Sequence, residues 1–101
     1  MSVVLKGKTA IVTGGGSGVG RATCLPLAEK GVNVAVGDLA FDNATTVAEE
    51  IVGCGGTALP LKANVMESKE VNAAVEAVVK AFGTVDLLVN CAGVCILNRI
   101  L

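Results

Sequence analysis

A glycine-rich stretch near the amino end, TGGGSGVGR at residues 13–21, holds five glycines within seven positions. It lies between a short apolar run and a segment with helical character. Glycine at this density suits a turn whose backbone N–H groups approach a phosphate, because no side chain then blocks them. The stretch therefore predicts a loop that binds a phosphorylated ligand. A tight strand-to-helix turn without a ligand would need fewer glycines.

Three kinds of ligand-binding loop contain such glycines, and their spacing separates them. A Walker loop, GxxxxGK[ST], would fit Gly15 and Gly20 but requires Lys and then Ser or Thr where Arg21 and Ala22 stand. A GxGxG spacing from Gly14 also occurs in S-adenosylmethionine methyltransferases, whose loops usually follow an acidic residue that is missing here. The pattern GxGxxG does not fit this stretch in any register. The wider dinucleotide pattern TGxxxGxG does fit, with Thr13, Gly14, Gly18 and Gly20. We therefore favour a dinucleotide-binding loop over the methyltransferase alternative.

Each glycine of the dinucleotide pattern has a predicted role. Gly14 permits the tight turn off the strand, Gly18 lets the backbone approach the pyrophosphate, and Gly20 lets the helix pack close to the sheet. The N–H groups at the helix start then face the phosphates. The loop residues assigned to the cofactor are Gly14, Gly16, Ser17, Gly18, Val19 and Gly20.

A carboxylate about twenty residues beyond the glycines supports the same interpretation. Asp38 ends the second predicted strand, where it can accept hydrogen bonds from both ribose hydroxyls of NAD. The 2′-phosphate of NADP would meet like charge there, and neither Ser17 nor Leu39 supplies a cation. NAD is therefore expected in preference to NADP. The alternative is that Asp38 is an ordinary turn residue.

The elements that must position these residues alternate along the chain. Apolar runs predict strands at 9–13, 33–38, 58–63 and 85–90, and helical patterns fall at 18–30, 43–52 and 68–82. This alternation predicts an α/β Rossmann-type fold, a doubly wound parallel sheet with strand order 3-2-1-4 that stops after the fourth strand. Its glycine loop and the turn after the fourth strand would meet at the topological switch point, where such sheets bind ligands.

Two prolines and one exposed strand affect the expected stability and arrangement of this fold. Pro26 should kink or break the first helix at a cost of about 3 kcal/mol, and Pro60 places the third strand at a sheet edge. The fourth strand, VDLLVN, would leave an open apolar edge. The first two helices are expected on one face of the sheet and the third alone on the other. The apolar face and edge left exposed should cause the chain to associate.

Composition excludes several classes of function. The 101 residues, 52% apolar and 2% aromatic with a net charge of −1, suggest one small domain and no nucleic-acid surface. Four cysteines without a CxxC pair and without any His argue against a zinc site. They suggest a reducing compartment, the cytoplasm or the mitochondrial matrix. Neither a secretory signal nor a membrane span is indicated.

Several motifs together make the chain resemble the short-chain dehydrogenase/reductase family. They are TGGGSGVG at 13–20, GD at 37–38, ANV at 63–65 and NCAG at 90–93. The resemblance implies that Asn64 and Val65 contact the adenine, and that Asn90, Ala92 and Gly93 line the cofactor ribose. It also implies an NAD(P)-dependent oxidoreductase that transfers hydride between nicotinamide and a small alcohol or ketone, as a homo-oligomer in its full-length form.

The chain departs from this family in what it lacks. NCAG replaces the commoner NNAG, so we expect Cys91 to be a small core residue and not a nucleophile. In the family, the catalytic Ser and the YxxxK motif come from strands and helices beyond the part that this chain resembles, and the sequence contains no Tyr. No catalytic residue is therefore assigned, and Lys62, Lys69 and Lys80 lack the partner Tyr. We expect the cofactor-binding half of a longer enzyme. The alternative is a short non-catalytic product that binds NAD or pairs with a full-length relative.

Overall fold

The computed structural model describes residues 5–16, 18–62, 68–91 and 95–97. Strands and helices alternate along these residues, as the sequence predicts. The strands are β1 (Thr9–Thr13), β2 (Asn33–Asp38), β3 (Thr57–Lys62), β4 (Leu87–Asn90) and β5 (Cys95–Leu97). The helices are α1 (Gly18–Glu29), α2 (Phe41–Gly53) and α3 (Ser68–Phe82).

The strands form one sheet in the order β3-β2-β1-β4-β5. The first four are parallel to one another, so the predicted order 3-2-1-4 is confirmed. The sheet nevertheless extends one strand beyond the predicted end, because β5 pairs antiparallel with β4. Only residues 91–94 separate β4 from β5, and a connection this short returns a neighbouring strand antiparallel. The outer edge of β4 is therefore covered over Leu88–Asn90.

Both prolines are compatible with the elements that contain them. Pro60 lies in β3, which is an edge strand as predicted. Pro26 does not break α1, which continues to Glu29. Pro26 and Ala22, whose carbonyl loses its usual i+4 partner, are both exposed. Water can therefore satisfy that carbonyl, and the helix remains continuous.

The core divides between the two faces of the sheet. On one face, side chains from β1 and β2 pack against α1 and α2; this cluster consists of Ala10, Val12, Cys24, Val32, Val34, Val36, Ala44, Val47, Ala48 and Ile51. On the other face, Ile11 and Ala35 pack against Val78 of α3 and Val85. The predicted distribution of helices is confirmed. Neighbouring residues of β1 point to opposite faces and all five are buried, as in a central parallel strand.

Ile51 and Val52 provide a matched test of this core. Ile51 is 1% exposed and Val52, the next residue of α2, is 57% exposed. We expect Ile51→Ala to lower the free energy of unfolding by about 2 to 5 kcal/mol, because it removes buried methyl groups and leaves a cavity. Val52→Ala should change it by less than about 0.5 kcal/mol. Urea unfolding followed by circular dichroism measures both, and equal losses would contradict the assigned face of α2.

Candidate functional site

The carboxyl ends of the three central parallel strands meet at one edge of the sheet. Thr13, the last residue of β1, lies opposite Gly37 of β2 and Asn90 of β4 in the strand register. The chain leaves β1 there through the glycine loop and enters α1. This is the switch point of the sheet, where connections leave to opposite faces and open α/β sheets bind their ligands.

Backbone hydrogen bonds join the start of the glycine loop to both neighbouring strands. The Gly15 N–H donates to the Gly37 carbonyl at 2.9 Å, and the Thr13 carbonyl accepts from the Cys91 N–H at 3.0 Å. The Thr13 hydroxyl donates to the Val89 carbonyl at 3.3 Å. The loop is therefore an extension of the sheet, with its first residues fixed between β2 and β4.

Several loop positions have no room for a side chain. Gly14 has φ = 70°, a left-handed conformation that glycine adopts without a steric penalty. A Cβ atom on Gly20 would lie 2.0 Å from the Gly14 carbonyl oxygen. On Gly16 it would lie 2.6 Å from the Cβ of Asn43, in the first turn of α2. Close packing between loop, sheet and helices thus requires glycine at these positions.

Gly18 differs from these glycines. Apart from its chain neighbours and its own helix backbone, a Cβ atom there would meet no atom of the described residues within 4 Å, and Gly18 is not among the glycines with positive φ. Neither packing nor backbone conformation within the described residues therefore demands a glycine at the first residue of α1. The next residue, Val19, is 66% exposed, and the first turn of α1 contains no acidic side chain to offset the positive end of the helix dipole. The helix start thus presents an accessible, electropositive backbone surface.

The Asp38 carboxylate lies beside this surface and bonds to the loop. Its Oδ2 accepts a hydrogen bond from the Gly16 N–H at 2.9 Å, and its Oδ1 accepts one from the Ala40 N–H at 2.9 Å. A carboxylate has about four acceptor positions, so two N–H groups leave it able to accept further donors. Asp38 is half-buried at the end of β2, and Leu39, the next residue, is 61% exposed.

The structure brings together a large part of the predicted site. The described members are Gly14, Gly16, Gly18, Val19, Gly20, Asp38 and Asn90, all at the carboxyl edge of the sheet or in the loop and helix start that follow it. The other predicted members, Ser17, Asn64, Val65, Ala92 and Gly93, lie outside the described residues. Across the described ranges, no group of His, Cys, Asp and Glu could hold a metal ion. None of the helices described there has the length and apolar character of a membrane span.

Sequence analysis missed an ion pair next to the loop. Arg21, in the first turn of α1, donates through Nε to both carboxylate oxygens of Glu50 in α2, at 2.9 and 3.1 Å. Its Nη2 also donates to Glu50 Oε2. The hydrogen bond and the opposite charge raise the pKa of Arg21 and lower that of Glu50. The two residues lie 29 positions apart, so no helical spacing rule links them.

Two cysteines lie beneath the loop. Cys24 is fully buried in α1, and a Cβ on Gly15 would lie 3.4 Å from its Sγ. Burial, with a smaller contribution from the nearby Cys91 thiol, raises the pKa of Cys24 to about 12. Cys91 packs against the same core cluster, and its thiol donates to the Thr23 hydroxyl at 3.7 Å. Cys91 thus contacts the core, as predicted.

Comparison with known proteins identifies related sequences. A family model described as short chain dehydrogenase matches residues 8–100. Cyclohexanol dehydrogenase from Acinetobacter sp. (strain SE19) is 45% identical over 94 residues, which make up 93% of this chain and 38% of that enzyme. The chain therefore spans little more than a third of the length of the curated relatives it matches.

Solved structures show the same similarity. A hydroxysteroid dehydrogenase from Escherichia coli superimposes with a TM-score of 0.83 at 36% identity, covering 85% of this chain and 37% of that one. A 3-ketoacyl-(acyl-carrier-protein) reductase from Brucella melitensis, solved in complex with NADH, gives a TM-score of 0.78 at 41% identity. It covers 84% of this chain and 34% of that one.

Gly20 and Gly18 should respond differently to the same substitution. Gly20→Ala places a methyl group against the Gly14 carbonyl, so we expect it to displace α1 and to destabilise the fold by about 1 to 3 kcal/mol. Gly18→Ala should be neutral or stabilising by up to about 1 kcal/mol, because alanine favours helix. Thermal unfolding of both variants tests this. Comparable destabilisation by the two would show that the assigned close contact does not decide the effect.

The raised pKa of Cys24 predicts a loss of stability at alkaline pH. On unfolding, the thiol returns to its ordinary pKa of 9.0 from about 12. Above pH 9 the unfolded chain therefore binds fewer protons than the folded one, and the free energy of unfolding falls by up to about 1.4 kcal/mol per pH unit. Urea unfolding between pH 8 and about 10.5 measures this slope. Cys24→Ala should remove most of the slope, whereas substitution of the exposed Cys54 by Ala should retain it.

Proposed function

The chain belongs to the short-chain dehydrogenase family, and from that premise we propose that residues 1–101 form the dinucleotide-binding part of an NAD-dependent oxidoreductase. The whole enzyme would transfer hydride between nicotinamide and a small alcohol or ketone. The observation that carries this proposal is the contact between the glycine loop and Asp38, which puts backbone donors for phosphate beside a carboxylate acceptor for ribose.

The packing of the loop glycines supports a pyrophosphate site. These tightly packed glycines hold the backbone against the sheet, while a Cβ on Gly18 would have no atom of the described residues within 4 Å, apart from its chain neighbours and the backbone of its own helix. A glycine at that position is explained by a ligand that approaches the backbone closely. The positive end of the α1 dipole would favour the phosphate charge. The close packing of the loop and the helix dipole together support a pyrophosphate site at this helix start.

Asp38 would bind the adenosine ribose and set the preference for NAD. Its carboxylate retains acceptor positions for the two ribose hydroxyls. The 2′-phosphate of NADP would approach this carboxylate, and the nearby Arg21 is already paired with Glu50. The NADH complex of the Brucella melitensis reductase supports a nicotinamide cofactor of this kind. We propose that Ser17, Asn64, Val65, Asn90, Ala92 and Gly93 complete the cofactor site.

The residues described would bind and orient the cofactor without transferring the substrate proton. Nicotinamide, when bound, supplies the carbon that accepts or donates hydride. The sequence has neither Tyr nor His, so we assign no catalytic acid or base within it. We propose that these residues bind the adenosine and pyrophosphate end of NAD. A homo-oligomer and a reducing compartment remain predictions from the sequence.

Titration with NADH and NADPH, followed by nicotinamide fluorescence, tests this function. The sequence lacks Trp and Tyr, so protein fluorescence will interfere little. We expect saturable NADH binding that is tighter than NADPH binding. Asp38→Ala should weaken NADH binding by about tenfold to a hundredfold, the range for hydrogen bonds to a charged group. It should also bring the dissociation constants of NADH and NADPH closer together.

The decisive quantity in this experiment is the ratio of the NADPH dissociation constant to the NADH dissociation constant. Asp38 also holds the N–H groups of Gly16 and Ala40, so its removal will perturb the loop and weaken both cofactors to some extent. Asp42→Ala is the matched control, since it removes an exposed carboxylate from the first turn of α2. It should leave the ratio unchanged. An unchanged ratio in Asp38→Ala would exclude Asp38 as the ribose ligand, and no NADH binding by the wild type would refute the proposed function.

A further inference from the structure

Helix α1 is buried less completely than α2, because its Leu25, Leu27 and Ala28 are only partly buried against the core. Of its twelve residues, Gly20 and Cys24 are buried, and Pro26 removes one of its internal hydrogen bonds. Helix α2, by contrast, buries Ala44, Val47, Ala48 and Ile51 against the sheet. Because packing contributes most of the stability of a helix in a protein, α1 depends more than α2 on specific contacts to hold its position.

The Arg21–Glu50 ion pair joins the less buried helix to the more buried one. Arg21 directly follows Gly20, so it lies in the turn whose backbone N–H groups would face the phosphates. The guanidinium binds the carboxylate through Nε and Nη2 in a two-pronged arrangement, which fixes orientation as well as distance. A link at this point restrains the start of α1 relative to the sheet.

The ion pair also fixes the position of the Arg21 guanidinium relative to the start of α1. A cation in the first turn of a helix is unfavourable beside the positive end of the dipole, and Glu50 provides the opposite charge on α2. The guanidinium is thereby held on the α2 side of the loop. Arg21 and Glu50 are 51% and 35% exposed, so water screens their attraction and the energetic effect will be modest.

We propose that Arg21 and Glu50 are positioning residues that hold the first turn of α1 for the cofactor pyrophosphate. The inference rests on the proposed function, since it concerns how the same site is held in place. Neither side chain is assigned a contact with the cofactor. Their effect is transmitted through the backbone of residues 18–21.

Two single substitutions test the pair from each side. Arg21→Met retains much of the side-chain length without the charge, and Glu50→Gln retains the shape without the charge. Both should weaken NADH binding by about two- to fivefold, the range that an exposed ion pair can reach. Glu49→Gln is the matched control, because Glu49 is adjacent on α2 and forms no ion pair with any residue in the described ranges; it should bind NADH as the wild type does.

Competition experiments separate positioning from general destabilisation. ADP contains the pyrophosphate and adenosine does not, so each is used to displace NADH. If α1 is displaced, ADP should bind more weakly to both variants than to the wild type, whereas the affinity for adenosine should not change. The exchanged pair, Arg21→Glu with Glu50→Arg, should recover part of the lost ADP affinity, because the opposite charges are again matched across the two helices.

The outcomes distinguish this inference from its alternatives. Tighter NADH binding by Glu50→Gln with weaker binding by Arg21→Met would overturn it, because Arg21 would then be a phosphate ligand restrained by Glu50. Equal weakening of ADP and adenosine, or wild-type binding by both variants, would also overturn it. Failure of the wild type to bind NADH would refute the proposed function itself, and the inference with it.

Discussion

The contact between Gly20 and Gly14 is the constraint on which the site depends. A helix can begin this close to the end of a strand only where its first turn has no side chain, since a Cβ on Gly20 would lie 2.0 Å from the Gly14 carbonyl oxygen. The contact places the amino end of α1 directly above the carboxyl end of β1. This placement brings the start of α1, where helix N–H groups lack partners within the helix, to the carboxyl edge of the sheet.

The parallel sheet supplies the second requirement, a common edge for residues that are distant in sequence. Thr13, Gly37 and Asn90 are brought level by the strand register. A parallel arrangement places every carboxyl end on the same side, so one edge collects the glycine loop, the Asp38 carboxylate and the end of β4. Strand β1, whose five residues are all buried, lies at the centre of this edge.

Much of this fold could be predicted from the sequence because its elements have strong periodic patterns. The bounds of β1, β2 and α3 match the prediction, since each apolar run or stripe is bounded by glycine or polar residues. The three residues of β5 are too few for a pattern, and their pairing depends on the neighbouring strand. The expectation that Pro26 could break α1 is wrong, because the exposure of the affected turn depends on the tertiary structure.

The contacts within the site were less predictable than its members. Spacing indicated the glycines and Asp38, but it could not show that Asp38 Oδ2 accepts from the Gly16 N–H. The Arg21–Glu50 pair was also beyond sequence patterns, because the fold alone brings α1 and α2 together. Such contacts depend on where two elements lie in space, and one chain without its coordinates contains no local signal for them.

The bond between Asp38 and Gly16 has a consequence for ligand selection. Asp38 accepts from the loop N–H of Gly16, and in the proposed complex it would also accept from the ribose, so the two halves of the site would share one carboxylate. Ribose hydroxyls can add to the remaining acceptor positions without displacing the loop N–H. A 2′-phosphate offers no such donors and brings like charge to the residue that orders the loop. Selectivity for NAD would therefore arise from the integrity of the loop as well as from direct repulsion at the ribose.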